Sequence, residues 1–262
     1  MYNLETFTKD DIFRSALALR NMSDTSSSTE ETANSIVDYL YKNFVDPVSG
    51  DSAFALIRFF KTHPYGLLED GIQQAAQTLL NTQDIPEATQ CLTLLATRGD
   101  RPEWNIRQGS NGHQAIPLLS EEFVQGIPMI SQLIHQLGLD LELVLSASPS
   151  MITNAPCRGF NVFHIPQALD SPYIPAQTEF VIPHKVKSVL GFGGLLGTGD
   201  LFTVIGFSKV FVPLETAQHF KWLSAYVRLA AEKFGREQTF SPAAVPHASP
   251  APASPGLVSA PT

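Results

Sequence analysis

The chain has 262 residues, a formal net charge of −8 and two cysteines. This length allows a substantial core, built as one large domain or two small ones. The negative charge and the lack of any run of Lys and Arg argue against a nucleic-acid partner, because a phosphate backbone requires a clustered basic surface. The N-terminal residues lack a signal-peptide pattern, and no apolar stretch is long enough to span a bilayer. We therefore expect a soluble, cytoplasmic protein without a membrane span.

The N-terminal part of the chain predicts two helices. Residues 9–20 have a short helical pattern, and the polar tract Ser23–Ser28 is expected to be a flexible connection. Ser28 and Glu31 have the spacing of a capping box, so a second helix is expected to follow as far as Phe44.

Patterns typical of strands and helices alternate in the middle of the chain. Strands are indicated by short runs rich in Val, Ile, Leu and Phe, and helices by apolar residues three and four apart. The predicted elements are strands at 53–60, 91–97, 141–145 and 161–165, and helices at 72–80 and 121–137, the latter disturbed by Pro128. A Pro-rich connection follows over residues 166–183.

The segment from Ser188 to Phe234 predicts a hairpin followed by a long amphipathic helix. Residues 188–196 and 201–211 are apolar strands, and Gly197–Asp200 supplies residues that accept a positive φ in a tight turn. Pro213 is suited to open the helix. One apolar stripe is predicted on it: Phe220, Leu223, Val227, Ala230 and Phe234.

The glycines of this segment do not form a nucleotide-binding motif. No Lys follows them in P-loop spacing, and Leu196 occupies the place of the third glycine in a dinucleotide-binding fingerprint. Tight turns and close strand packing explain these glycines better.

These elements predict an α/β (α+β) fold, with an antiparallel sheet, flanking helices and a long C-terminal helix. We expect residues 1–28 to be an N-terminal extension and residues 29–236 to be the main domain. The predicted linker or tail, residues 237–262, is rich in Pro and Ala, a composition that does not bury a core.

Several sequence segments resemble an N-terminal GAF-like sensory region of bacterial signal-transduction proteins, of the kind found ahead of PAS domains and histidine kinases. The resemblance covers about residues 30–234. These segments are RFFKTHP (58–64), CLTLLATRG (91–99), GHQAIPL (112–118), NVFH (161–164), SPYIPAQ (171–177) and the stretch from Ser188 to Phe202.

The resemblance implies a non-catalytic sensory domain of a two-component signalling system, which binds a small ligand or a partner. It would transmit the signal through the C-terminal helix, which leads into the linker, to a downstream signalling domain or partner kinase. Trp222 and Tyr226 form a second apolar edge of that helix, so a homodimer is a further hypothesis. Two alternatives remain open: a protein-interaction scaffold without a small ligand, and a hydrolase with a spatially assembled Ser/His site.

Candidate ligand-binding residues form two clusters. The first lies in the polar loop 98–113, where Arg can bind carboxylate or phosphate and Trp can stack; its members are Arg98, Trp104, Asn105, Arg107, Ser110 and His113. The alternative is a loop held by its own ion pairs. Arg58, Lys61 and His63, near Tyr65 at the end of a strand, form the second cluster. By resemblance alone, Tyr173 and Gln177 lie in a loop that closes the ligand cavity.

No cofactor is identified by the sequence. No His pair has a metal-site spacing, and neither cysteine is followed by the His that commonly accompanies bilin attachment: Cys91 precedes Leu92, and Cys157 precedes Arg158. Haem bound through one axial histidine, His164 or His113, remains an alternative. Ser208 lacks the closing glycine of a nucleophile elbow, because Val210 occupies that place.

Overall fold

A computed structural model describes residues 1–110, 112–147 and 161–241 of the chain. Its centre is a six-stranded antiparallel sheet in the order β5-β4-β3-β8-β7-β6, and β1 and β2 form a small parallel pair beside it. The strands are β1 (Tyr2–Asn3), β2 (Phe44–Val45), β3 (Phe54–Pro64), β4 (Gln90–Gly99), β5 (Ala115–Pro117), β6 (Asn161–Ile165), β7 (Ser188–Leu195) and β8 (Leu201–Ser208).

Helices cover both faces of this sheet, which confirms the predicted α+β class. They are α1 (Lys9–Arg20), α2 (Thr29–Asn43), α3 (Asp70–Leu80), α4 (Glu121–Gln125), α5 (Pro128–Gln136), α6 (Leu141–Ser146) and α7 (Leu214–Ala231). Within the described residues, none of them is long and apolar enough to cross a membrane.

Alternation along the strands divides the core into two layers. On one face, here called the helical face, Phe59 and Phe202 pack against α1, α2 and α7. On the opposite face, here called the Arg58 face, Phe60 and Ile205 pack against α4 to α6 and the segment 166–187. This division follows from the two-residue period of a strand, in which successive side chains point to opposite sides.

The N-terminal residues belong to the helical layer. Leu4, Phe7 and Leu19 are buried in the same cluster as α7. The tract expected to be a flexible connection contains a 3₁₀ helix over Asn21–Thr25, in which Ser23 is buried. The apolar contacts of α1 with α7 hold this stretch against the domain.

Several element boundaries differ from the sequence-based expectation. The predicted strand at 141–145 is helix α6, since Asp140 caps it by accepting from the Glu142 N–H at 3.0 Å. The predicted helix 121–137 is interrupted, because Pro128 begins α5 after α4 has ended. A turn of π-helix occupies Gln177–Val181 in the Pro-rich connection.

The predicted hairpin and its turn are confirmed. Leu196 N–H donates to Asp200 O at 2.8 Å, and Gly199 has a φ of +89°. Gly193 of β7 lies so close to β8 that a Cβ there would overlap the Phe202 carbonyl oxygen.

The chain does not leave the domain at the end of α7. The helix ends at Ala231, three residues before the predicted Phe234, and residues 236–241 then return across strand ends. There Arg236 contacts Asp200 before β8, and Phe240 contacts His63 near the end of β3. We call residues 236–241 the strap. The Glu30 N–H donates to Thr239 O at 2.9 Å, and the Ser241 N–H donates to Glu30 Oε2 at 2.9 Å, so the strap is held at the N-terminus of α2. Residues 242–262 of the predicted tail lie outside the described part.

Candidate functional site

Arg58 is the central polar residue of the Arg58 face. It lies opposite Thr97 of β4 and Ile205 of β8, in the middle of the sheet. Leu56 and Phe60, its neighbours on the same face of β3, are both buried in the apolar cluster. The sequence therefore places a guanidinium where alternation would otherwise bury an aliphatic side chain.

This guanidinium has no hydrogen bond or ion pair within the described residues. Its Nε is buried and has no acceptor among the described residues, whereas the Arg58 side chain as a whole is only partly buried. Burial alone lowers the pKa of Arg58 to about 10, so the group is still charged at neutral pH. Since a buried charge is costly unless it is paired, an unpaired one marks a place where a ligand anion would be stabilised.

An aromatic group lies beside Arg58 on the same face. Phe207 is opposite Leu56, one pleat along β8 from Ile205, and its ring is 4.9 Å from that of Phe180. Trp104 then contacts Phe180 at 5.5 Å and His184 at 4.5 Å between ring centroids. These four residues (Trp104, Phe180, His184 and Phe207) are called the aromatic group below.

Local contacts hold the aromatic group in place. Thr97 Oγ1 donates to the Trp104 carbonyl at 2.8 Å, and the Trp104 ring lies over Gly99, where there is no side chain. His184 is half-buried against Trp104; burial, and then the charge of Arg101, lowers its pKa. A rigid apolar wall therefore borders the Arg58 site.

Lys61 and His63, predicted to cluster with Arg58, point to the helical face instead. Lys61 is opposite Phe202, whose side chain is in the helical layer. Its Nζ pairs with Asp200 Oδ2 at 2.8 Å, and both side chains are almost fully buried. The predicted cluster is thus divided by the strand, with Arg58 alone on its side.

Asp200 joins the hairpin to the strap. Arg236 donates to it through Nη2 at 2.8 Å and through Nε at 3.1 Å, and Thr198 Oγ1 donates at 2.8 Å. Burial raises the pKa of Asp200, but the charge of Lys61 and these hydrogen bonds outweigh it, so the pKa lies below its usual value. Asp200 is ionised and holds two cations together.

His63 is a buried, neutral part of the same region. Its ring meets that of Phe240 of the strap edge-on at 5.4 Å, and Lys61 Nζ is 3.5 Å from Nδ1. Burial, and then the charge of Lys61, lowers the pKa of His63 to about 4. The nearby Tyr65 hydroxyl accepts from Gln77 Nε2 at 2.8 Å.

Residues of the 98–113 loop have partners within the protein. Arg98 of β4 reaches Asp38 at 3.5 Å on the helical face, and Asn105 Oδ1 accepts from the Gly99 N–H at 2.8 Å. These contacts agree with a polar loop held by its own interactions, and a ligand role for Arg98 and Asn105 remains a prediction. Of the described residues of this loop, Trp104 packs against the core of the Arg58 face.

Arg107, Ser110 and His113 lie away from Arg58 as well. Arg107 pairs with Glu30 at 3.3 Å and Glu69 at 3.2 Å, and its guanidinium lies over the Phe240 ring. Ser110 is buried and its Oγ has no hydrogen-bond partner among the described residues, whereas His113 is exposed. Arg107 therefore contributes to strap packing.

The three remaining candidates stabilise loops and strand ends. His164 Nε2 lies 2.8 Å from the Val212 carbonyl, and burial lowers its pKa. Gln177 Nε2 donates to the carbonyls of Ala168 and Ile174 at 3.0 and 2.8 Å. Tyr173 is partly buried against the core of the Arg58 face, as expected for a loop over the sheet.

Ser208 and the side chains that could ligate a metal bear on the hydrolase and metal-site alternatives. Ser208 Oγ is fully buried and bonds to the Val210 carbonyl at 2.8 Å, with no His among its hydrogen-bond partners. Within residues 1–110, 112–147 and 161–241, no three His, Cys, Asp or Glu side chains are grouped to hold a metal. Cys91 is buried, which raises its pKa to about 12, and Cys157 lies outside the described residues.

Sequence reasoning missed the ion-pair partners of Lys61 and most of the aromatic group. Asp200 was interpreted only as a turn residue, and Arg236 follows the helix in a stretch without a pattern. Strand parity was the available signal for Arg58. Residues 58 and 61 of one strand face opposite sides, whichever face is buried.

No protein-family model, curated protein or solved structure matches the chain. The resemblance to GAF-like sensory regions accordingly depends on the sequence segments alone.

Proposed function

We propose that this chain is a non-catalytic, GAF-like sensory domain that binds a small ligand on the Arg58 face. The observation that carries the proposal is the guanidinium of the partly buried Arg58, whose buried Nε has no partner among the described residues. The sequence segments that resemble bacterial sensory regions support the same function. The chain would act in the cytoplasm within a two-component signalling protein, ahead of a downstream domain or partner kinase.

Strand β3 offers a route from the ligand to the strap. It carries Arg58 on one face and, three residues later, Lys61 on the other. Lys61 pairs with Asp200, and Asp200 binds Arg236 at the start of the strap. A small shift of β3 on ligand binding would therefore alter the ion pairs that hold the strap against the sheet.

The strap changes the proposed output. A helix running straight into a linker was the expected lever, but α7 ends at Ala231 and the strap follows it. The strap would instead be the bistable element, with residues beyond 241 reporting whether it is docked.

Native mass spectrometry of the chain purified from its own host tests this function. We expect a bound small mass in the wild type and in Arg14→Met, a control at an exposed arginine, and no such mass in Arg58→Met. Wild-type protein without a bound mass would overturn the proposal and favour a scaffold, as would equal occupancy in Arg58→Met.

A homodimer through the outer helices is part of the proposal. Helices α1 and α7 run parallel, since Thr216 and His219 bond to Glu5 O and Phe7 O near the start and Lys233 bonds to Ser23 O near the end. Their outer surface exposes an apolar patch of Phe13, Leu17, Trp222 and Leu229. Tyr226, predicted to share this edge, is instead partly buried against the helical layer.

A further inference from the structure

We propose that the ligand of the Arg58 face is an organic carboxylate monoanion with an apolar or aromatic body, and not a phosphate. This inference rests on the ligand site proposed above and adds the chemical class of its ligand. Three properties of the face support this inference: the number of unpaired charges, the number of free hydrogen-bond donors, and the apolar side chains around Arg58.

The first property is charge. Among the described residues, Arg58 brings one unpaired positive charge to the face, whereas Lys61 faces the other side and is paired with Asp200. Arg101, which stacks on Trp104, is paired with Glu103. A monoanion would leave the site neutral, but a phosphate monoester carries about 1.5 to 2 negative charges and would leave an uncompensated buried charge.

The second property is the supply of hydrogen-bond donors. A guanidinium presents a planar fork that matches the two oxygens of a carboxylate. The hydroxyls beside it are already committed, because Thr97 donates to Trp104 O at 2.8 Å and Thr203 donates to Phe192 O at 3.3 Å. Among the described residues, these two hydroxyls are therefore not free to donate to the additional oxygen of a phosphate.

The third property is the apolar surroundings. Leu56, Phe60 and Ile205 are the same-face neighbours of Arg58, and Phe207 occupies the next pleat, about 7 Å along the strands. The Phe207 ring contacts Phe180, which contacts Trp104. An acid whose carboxylate meets Arg58 would thus place its body against Trp104 and Phe180. The burial of that body supplies affinity that a single ion pair does not.

Tryptophan fluorescence gives a direct test, since the chain has two tryptophans and Trp222 is exposed. In Trp222→Phe protein, freed of co-purified ligand by unfolding and refolding, Trp104 is the remaining reporter. Three probes of one shape are titrated: phenylacetate, neutral phenylacetamide and phenyl phosphate. We expect a saturable change with phenylacetate and at least tenfold weaker binding of the other two.

Variants then assign the binding to the guanidinium. Arg58→Met should weaken phenylacetate at least tenfold, Arg58→Lys should weaken it less, and Arg14→Met should leave it unchanged. Tighter binding of phenyl phosphate, insensitivity to Arg58→Met, or no binding of any probe would each overturn the carboxylate inference. The wider ligand proposal fails separately, if the chain from its host carries no bound mass.

Discussion

At the scale of single residues, Arg58 departs from the rule that charges removed from water are paired, because it is partly buried and has no partner among the described residues. Lys61, three positions away on the same strand, follows that rule through Asp200. The contrast within one strand suggests that the unpaired position is maintained for binding and not for stability, because binding sites commonly retain groups that destabilise the empty protein.

This account predicts that removing the charge stabilises the empty protein. Arg58→Met replaces an unpaired, partly buried guanidinium with a shorter apolar side chain, so we expect about 1 kcal/mol of added stability in ligand-free protein. Urea unfolding measures it. Arg14→Met, at a side chain that is 68% exposed, should change stability by less than about 0.5 kcal/mol. A destabilised Arg58→Met would show that Arg58 has a partner in the folded protein.

His63 predicts a loss of stability in mild acid. Its pKa is about 4 in the folded protein against 6.5 for the unperturbed group, so the unfolded chain binds the proton first as the pH falls. Its contribution is complete above pH 6.5 and is lost between pH 6.5 and 4, by about 3 kcal/mol in all.

The measurement is the difference between wild type and His63→Gln in urea unfolding at several pH values. The stability of wild type should fall more steeply than that of His63→Gln across this window, whereas His135→Gln, at an exposed histidine, should follow the wild type. Parallel curves for wild type and His63→Gln would contradict a buried neutral His63.

At the scale of elements, the strands and the terminal hairpin could be predicted because their patterns are strong and local. Residues 161–165 and the turn at Gly197–Asp200 agree with the structure. The segment 141–145 could not be assigned in the same way, since a short apolar run fits either a strand or a helix. Its cap at Asp140 was the signal that distinguishes the two.

Asp200 of the hairpin pairs with both Lys61 of β3 and Arg236 of the strap. We therefore predict strong energetic coupling between Lys61 and Asp200. Asp200→Asn leaves Lys61 buried without its counter-ion, so we expect a loss of about 3–5 kcal/mol in stability. Adding Lys61→Met removes the orphaned charge and should restore a large part of it. A double-mutant cycle by urea unfolding measures this coupling. Additive losses in the double variant would show that the two residues do not form a buried pair.

The parallel helices α1 and α7 predict self-association through their exposed patch. We expect Trp222→Glu to shift a dimer to monomer in light scattering, because a charge at the centre of an apolar interface is costly to bury. Lys221→Glu, a charge change one residue away on an exposed position, is the matched control. A wild-type monomer at high concentration would rule out this dimer.

At the scale of the whole molecule, the sequence predicted the class of fold better than the site. Periodicity reports which residues are buried, and hence the helices and sheet, but ion pairs between distant segments have no local pattern. Asp200 and Arg236 are 36 residues apart and meet only because the chain turns back after α7. The candidate loop 98–113 contained residue types that can bind a ligand, yet Arg98, Asn105 and Arg107 make contacts within the protein.

The central claim is that a ligand at Arg58 on one face of the sheet alters the strap on the other. Hydrogen–deuterium exchange of the full chain, with phenylacetate and with phenylacetamide as control, tests both parts in one measurement. We predict that phenylacetate alone slows exchange in β3 around Arg58 and changes exchange in residues 236–241. Protection around Arg58 with an unchanged strap would contradict transmission, and unchanged exchange in both segments would contradict the site itself.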